Sequence, residues 1–351
     1  MNQTNESPSR SFGLDFARAL AIIFVLMAHF FKQLDHIGFW GVELFFGLSG
    51  FLIGQILWRS YSESNEWSFK HTVNFWSRRW WRTLPNYYLF LIIMLFYHYF
   101  IAGGLPGLSV LVEHIWFGQN LLSRQDGFFG VAWSLCIEEF FYLLFPLILF
   151  AISRLLTKRK TAFLVALSVI FILSAAVREM LIQQHTSTAI RGVTLARLDA
   201  IGCGVLVSFW LSNAEITNRK KWMAFIIGCV LLCIAYLGVY HAGMLYNADI
   251  EKRYLLVVSS LGFSLMLPAV SMLPRPQGIF SMFSKWIDSL SFWSYSIYLS
   301  HIPILFTIYK LVQHKMLSKL AALVLTLIVS AILFKYFETP MMKKRPKEIA
   351  A

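Results

Sequence analysis

The feature that most restricts this chain is a succession of apolar stretches, each close to the length needed to cross a lipid bilayer. A hydrocarbon core takes about 20 residues of helix, and candidate spans fall at 14–32, 39–58, 86–102, 129–152, 162–182, 197–213, 222–240, 254–273, 292–312 and 319–337. With 58% hydrophobic and 14% charged residues, the chain lacks the charged surface, about 25% of residues, that clothes a soluble domain. Within lipid a segment must satisfy its own backbone polar groups, and continuous apolar runs do so as helices. The expectation is an all-α integral membrane protein, a bundle of about ten transmembrane helices. It divides into a segment 1–13, a membrane domain over 14–338 and a basic tail over 339–351.

The net charge of +13 is unevenly distributed along the chain. If Arg10 is cytoplasmic, alternate connections on that side hold Arg59, Lys70, Arg78, Arg79 and Arg82, then Arg154, Lys158, Arg159 and Lys160. Further along they hold Arg219, Lys220, Lys221, Arg275 and Lys285, and the tail adds Lys343, Lys344, Arg345 and Lys347. The opposite connections are sparsely basic. Such asymmetry orients a membrane protein with both termini cytoplasmic. Because these charges sit in short connections between apolar stretches, nucleic acid is not an expected partner; membrane lipid is. The first span carries Asp15, Arg18 and His29 and no small-residue cleavage site, so it reads as a retained helix. Cys136, Cys203, Cys229 and Cys233 all lie in apolar segments and read as small core residues, with no metal site expected. The Gly-rich segment 103–128 is expected to contain a short interfacial helix near Leu108–Phe117.

Ionisable groups within spans cost about 2.5–3.5 kcal/mol each on insertion scales and mark function by default. Arg18 and His29 are eleven residues apart, about 16 Å of helical rise and three turns, so they share a face. Asp15 and Arg18 form an i, i+3 pair on that face. A neutral imidazole suits activation of a hydroxyl; the bland alternative is a packed histidine paired with Glu43. Arg78, Arg79 and Arg82, with Trp76, Trp80 and Trp81, precede Pro85. Guanidinium groups there suit phosphates and the indole rings suit stacking on adenine, though basic and aromatic residues also serve as plain interfacial anchors. Adjacent helix positions diverge by about 100°, so only one of Glu138 and Glu139 can readily face a given site. That residue is expected to orient His29 or to pair with an arginine. Arg197 and Asp199, and Tyr298 and His301, are either structural pairs or cavity lining. Glu338-Thr339-Pro340 reads as a helix stop.

These segments together resemble the membrane acyltransferase-3 family, whose members O-acylate surface glycans. The resemblance spans nearly the whole chain. Its carriers, in order, are Leu14-Asp15 with Arg18 and His29, Gly41-Val42-Glu43 through Ser49-Gly50-Phe51, and Arg78/Arg79/Arg82 with Pro85. Trp133-Ser134-Leu135 with Glu138, Arg197-Leu198-Asp199, Tyr298-Leu299-Ser300-His301 and Glu338-Thr339-Pro340 complete the series. Glu43 stands where an Asp is more usual, and Ser300 where a Trp often precedes the His. The resemblance implies His29, Arg18 and Glu138 as catalytic, and Arg78, Arg79 and Arg82 as contacts to an acyl-CoA co-substrate, with no tightly bound cofactor. Asp15, Glu43, Glu139, Arg197, Asp199, Tyr298 and His301 are the remaining cavity candidates. The implied activity is transfer of an acyl group, acetyl in the first instance, to a hydroxyl of a glycan or lipid-linked glycan. The implied setting is a bacterial inner membrane, with polysaccharide-synthesis machinery as partner. A proton-coupled transporter is the alternative from another class, although no internal duplication of the kind transporters show is visible.

Overall fold

The computed structural model describes residues 10–123, 127–184, 190–241, 251–312 and 314–349, without the side chains of 239–241 and 251–252. Its helices are α1 (Phe12–Phe30), α2 (Ile37–Glu63), α3 (Phe69–Tyr97), α4 (Leu108–Ile115), α5 (Trp133–Ser153), α6 (Arg159–Gln183), α7 (Leu198–Asn213), α8 (Asn218–His241), α9 (Leu256–Val270), α10 (Ser281–Leu311), α11 (Lys315–Leu333) and α12 (Thr339–Lys343). No strand occurs among the described residues. Eight helical segments among them are long and apolar enough to cross a membrane. Each of the ten expected spans falls on a helix, but two differ from the expected character. α7 is apolar but only 16 residues long. α10 runs for 31 residues and carries serines, tyrosines and a histidine along its length. The short helix expected near Leu108–Phe117 is α4, whose exposed Leu108, Val112 and Ile115 form one apolar side. Most of segment 1–13 lies outside the described residues.

Small residues set the tightest contacts. A Cβ on Gly50 would meet the Ile201 carbonyl oxygen at 2.0 Å, and one on Gly54 would meet Ser208 Oγ at 2.1 Å. Without a hydrophobic drive between helices inside lipid, such close approach is what holds α2 to α7. Gly50→Ala is expected to cost about 1–3 kcal/mol through overpacking, read as a lower unfolding midpoint of the detergent-solubilised protein. An unchanged midpoint would contradict this packing.

Three sequence expectations need correction. The basic segment before Pro85 is not a loop, because α3 begins at Phe69 and continues through the proline. Helix–helix contacts and local adjustment tolerate proline in membrane helices. The chain likewise does not stop at Glu338-Thr339-Pro340: a π-helical turn, Phe334–Glu338, leads directly into α12. Cys136 and Cys203 are buried, whereas Cys233 is exposed on α8 and is no core residue.

Candidate active site

The polar side chains follow helical periodicity into two cavities that share a wall. On α5, Ser134, Glu138 and Tyr142 recur at i+4 and face the first cavity, of about 220 Å³, while Glu139 is turned away and does not line it. On α3, Arg79 and Arg82 are an i, i+3 pair facing the same space, which Arg18 of α1 also borders. Ser49 of α2 donates to Glu138 Oε1 at 2.8 Å and lies 3.0 Å from the Tyr142 hydroxyl, fixing the carboxylate opposite the guanidinium groups.

Arg18 is held from two helices. Asp15 lies 3.5 Å from Arg18 Nη1, Arg10 Nη2 donates to Asp15 at 2.6 Å, and Ser291 Oγ donates to Asp15 at 2.9 Å. Arg18 Nη1 in turn donates to Ser291 at 3.3 Å. The expected i, i+3 pair therefore exists, but Asp15 is shared with Arg10.

The second cavity, about 530 Å³, is bordered by His29, Asp35, His98, Trp133 and Arg191. His29 is exposed, and the space it faces is this cavity. Its Nδ1 donates to the Val25 carbonyl at 2.9 Å, so a neutral ring keeps its lone pair on Nε2. His301, fully buried, donates from Nδ1 to the Ile297 carbonyl at 3.1 Å and presents Nε2 at 3.3 Å from His29 Nδ1. A chain of fixed tautomers thus sets which nitrogen of His29 can act as base. Arg191 lies over the rings of Phe39 and Trp133, with centroid distances of 4.7 and 5.0 Å.

Val42 and Tyr298 border both cavities. The Tyr298 hydroxyl is anchored 2.6 Å from Ser134 Oγ and 3.0 Å from the Val131 carbonyl. Along α10, Ser291, Ser294, Tyr298 and His301 form one stripe that follows α1 from Arg18 to His29, because Ser291 touches Arg18 and His301 touches His29.

Other expected residues fall elsewhere. Glu138 is not the orienting partner of His29; its hydrogen bond goes to Ser49 beside the other cavity, and the ring beside His29 is that of His301. Glu43 does not pair with His29 either. It lies fully buried against Arg197, 2.7 Å away, and accepts from Ser260 at 2.6 Å. Asp199 pairs with Arg178 at 2.5 Å. These two ion pairs are structural, and neither borders the two cavities. Trp76 and Trp80 stack on each other, with centroids 5.9 Å apart, and border neither cavity. Arg78 does not border the first cavity with Arg79 and Arg82, and bonds the Pro346 carbonyl at 3.1 Å. Glu338 is a buried tertiary acceptor, taking hydrogen bonds from Ser296 at 2.8 Å and Asn86 at 3.3 Å. Ser49, Ser291 and Arg191 were not singled out from sequence. Only the serine periodicity of α10 could have flagged Ser291.

A family model described as an acyltransferase domain matches residues 11–335, and the chain belongs to this acyltransferase family of multi-helix membrane proteins. It is 28% identical over 94% of its length to a peptidoglycan O-acetyltransferase OatA of Listeria monocytogenes, covering 55% of that protein. It is 27% identical over 84% of its length to a putative peptidoglycan O-acetyltransferase, YrhL, of Bacillus subtilis, covering 48% of it. An O-acetyltransferase OatA of Staphylococcus aureus is 28% identical over 98% of this chain and is covered over 59%. The chain therefore spans about half the length of the curated relatives it matches. No solved structure matches it.

Proposed function

We propose that the protein is a membrane O-acyltransferase that takes an acetyl group from acetyl-CoA at its basic, cytoplasmic end and delivers it to a hydroxyl of a surface glycan at the other end. The observation that carries this is the pair of cavities meeting at Tyr298 and Val42, with Arg18, Arg79 and Arg82 bordering one and His29 the other. Arg79, Arg82 and Arg18 hold the anionic donor by charge-assisted hydrogen bonds. The pantetheine arm follows the shared stripe of α1 and α10. His29 Nε2 takes the proton of the acceptor hydroxyl as its oxygen bonds to the acyl carbon. The carbon–sulfur bond then breaks, and the departing thiolate receives the proton. The relatives' names favour peptidoglycan among the glycans, and the second cavity, with Trp133, Asp35 and Arg191, has the apolar faces and polar groups that suit a sugar.

The test is transfer of labelled acetyl from acetyl-CoA to peptidoglycan fragments by membranes containing the protein, with uptake of free label into vesicles followed in parallel. Covalent label on glycan is expected, with the KM for acetyl-CoA raised about tenfold or more in Arg79→Gln/Arg82→Gln. Uptake without covalent label would instead favour a transporter.

A further inference from the structure

Residues 345–349 fold back along α3 and close a third cavity of about 100 Å³, bordered by His71, Arg78, Arg79, Arg82, Arg345 and Glu348. Arg79 and Arg82 border the first cavity as well, so the two spaces adjoin. Four guanidinium groups surround the third cavity against one carboxylate, that of Glu348. Glu348 lies 3.3 Å from Arg78 Nη2 and 3.8 Å from Arg59 Nη2. The segment is otherwise tied by Arg78 Nη1 to the Pro346 carbonyl at 3.1 Å and by Asn74 Nδ2 to the Lys347 carbonyl at 3.0 Å.

We propose that this third cavity is the nucleotide-phosphate site of the donor, that Arg345 is one of its binding residues, and that Glu348 occupies it until the phosphates displace the carboxylate from Arg78. The inference rests on the acyl-CoA reading above and extends it to residues outside the membrane helices. A carboxylate and a phosphate oxygen present the same acceptor geometry to a guanidinium, and a phosphate carries more charge. The cavity has an excess of cations that one carboxylate cannot neutralise. Burial first, and then the neighbouring guanidiniums of Arg78 and Arg82, push Arg345 below the usual arginine value, with Glu348 opposing them. Glu348 is one-third exposed, with 33% of its side chain accessible. Its bonds are those of a surface contact, weak enough to exchange.

The experiment measures binding of CoA and of adenosine 3′,5′-bisphosphate to the full chain in phosphatidylcholine nanodiscs. Glu348→Gln is expected to tighten both by about three- to fivefold, and Arg345→Gln to weaken both by a similar factor, with partial recovery in Arg345→Lys. Unchanged affinity in Glu348→Gln and Arg345→Gln, while Arg79→Gln weakens CoA, would overturn this proposal and leave the acyl-CoA reading standing. No binding of CoA to the wild type would overturn both. A gain by Glu348→Gln seen only for phosphatidylglycerol vesicles would assign the cavity to a lipid headgroup and overturn the nucleotide assignment.

Discussion

His29→Ala is expected to lower acyl transfer by about 10²–10⁴-fold, the usual contribution of a positioned general base, while the protein inserts and unfolds as the wild type does. The stability half of this expectation follows from geometry. The His29 ring is exposed to a cavity, so its removal opens no hole in packed core. His301→Gln separates chemistry from positioning. His301 is buried and touches the Nδ1 side of His29, so its loss should reduce kcat by less and leave the KM for acetyl-CoA near the wild-type value. A folded His29→Ala protein with full transfer activity would remove the imidazole from the mechanism.

The second large effect concerns stability. Arg197 and Glu43 are both fully buried, and Nε and Nη1 of Arg197 find no hydrogen-bond partner among the described residues. Removing Glu43 leaves a charge in the core without its counter-ion, and Glu43→Ala is expected to cost about 3–5 kcal/mol. Replacing both, as Glu43→Met with Arg197→Met, should cost less than either single change, because no lone charge remains. Unfolding midpoints and the yield of monodisperse protein report this directly. If Glu43→Ala abolished transfer with an unchanged midpoint, the pair would belong to the site and not to the scaffold.

The contrast between these two residues shows what a sequence can carry. The eleven-residue interval from Arg18 to His29 depends only on helical pitch, and the structure places both on one stripe leading from one cavity to the other. The divergence of Glu138 from Glu139 was legible for the same reason. The spans were legible because bilayer thickness fixes their length, although Pro85 hid the helical first half of α3 and the polar stripe of α10 thinned its apolar character. The partners of each charged group were not legible. Glu43 finds Arg197 across 154 positions, His29 finds His301 across 272, and Arg18 finds Ser291 across 273. Such contacts are set by helix packing, and periodicity within one segment carries no trace of the neighbour it faces. Arg191 escaped notice because its importance lies in sharing a cavity with His29.

The central claim, that the acyl group passes from the arginine cavity to His29 through the bundle, is tested most directly in sealed proteoliposomes of known orientation. Labelled acetyl-CoA, which does not cross lipid, is supplied only on the side of Arg78, and the glycan acceptor is confined to the other side. Label is expected to appear on the acceptor with the wild type and not with His29→Ala. Label that appears only when donor and acceptor share one side, or equally in His29→Ala, would contradict the account.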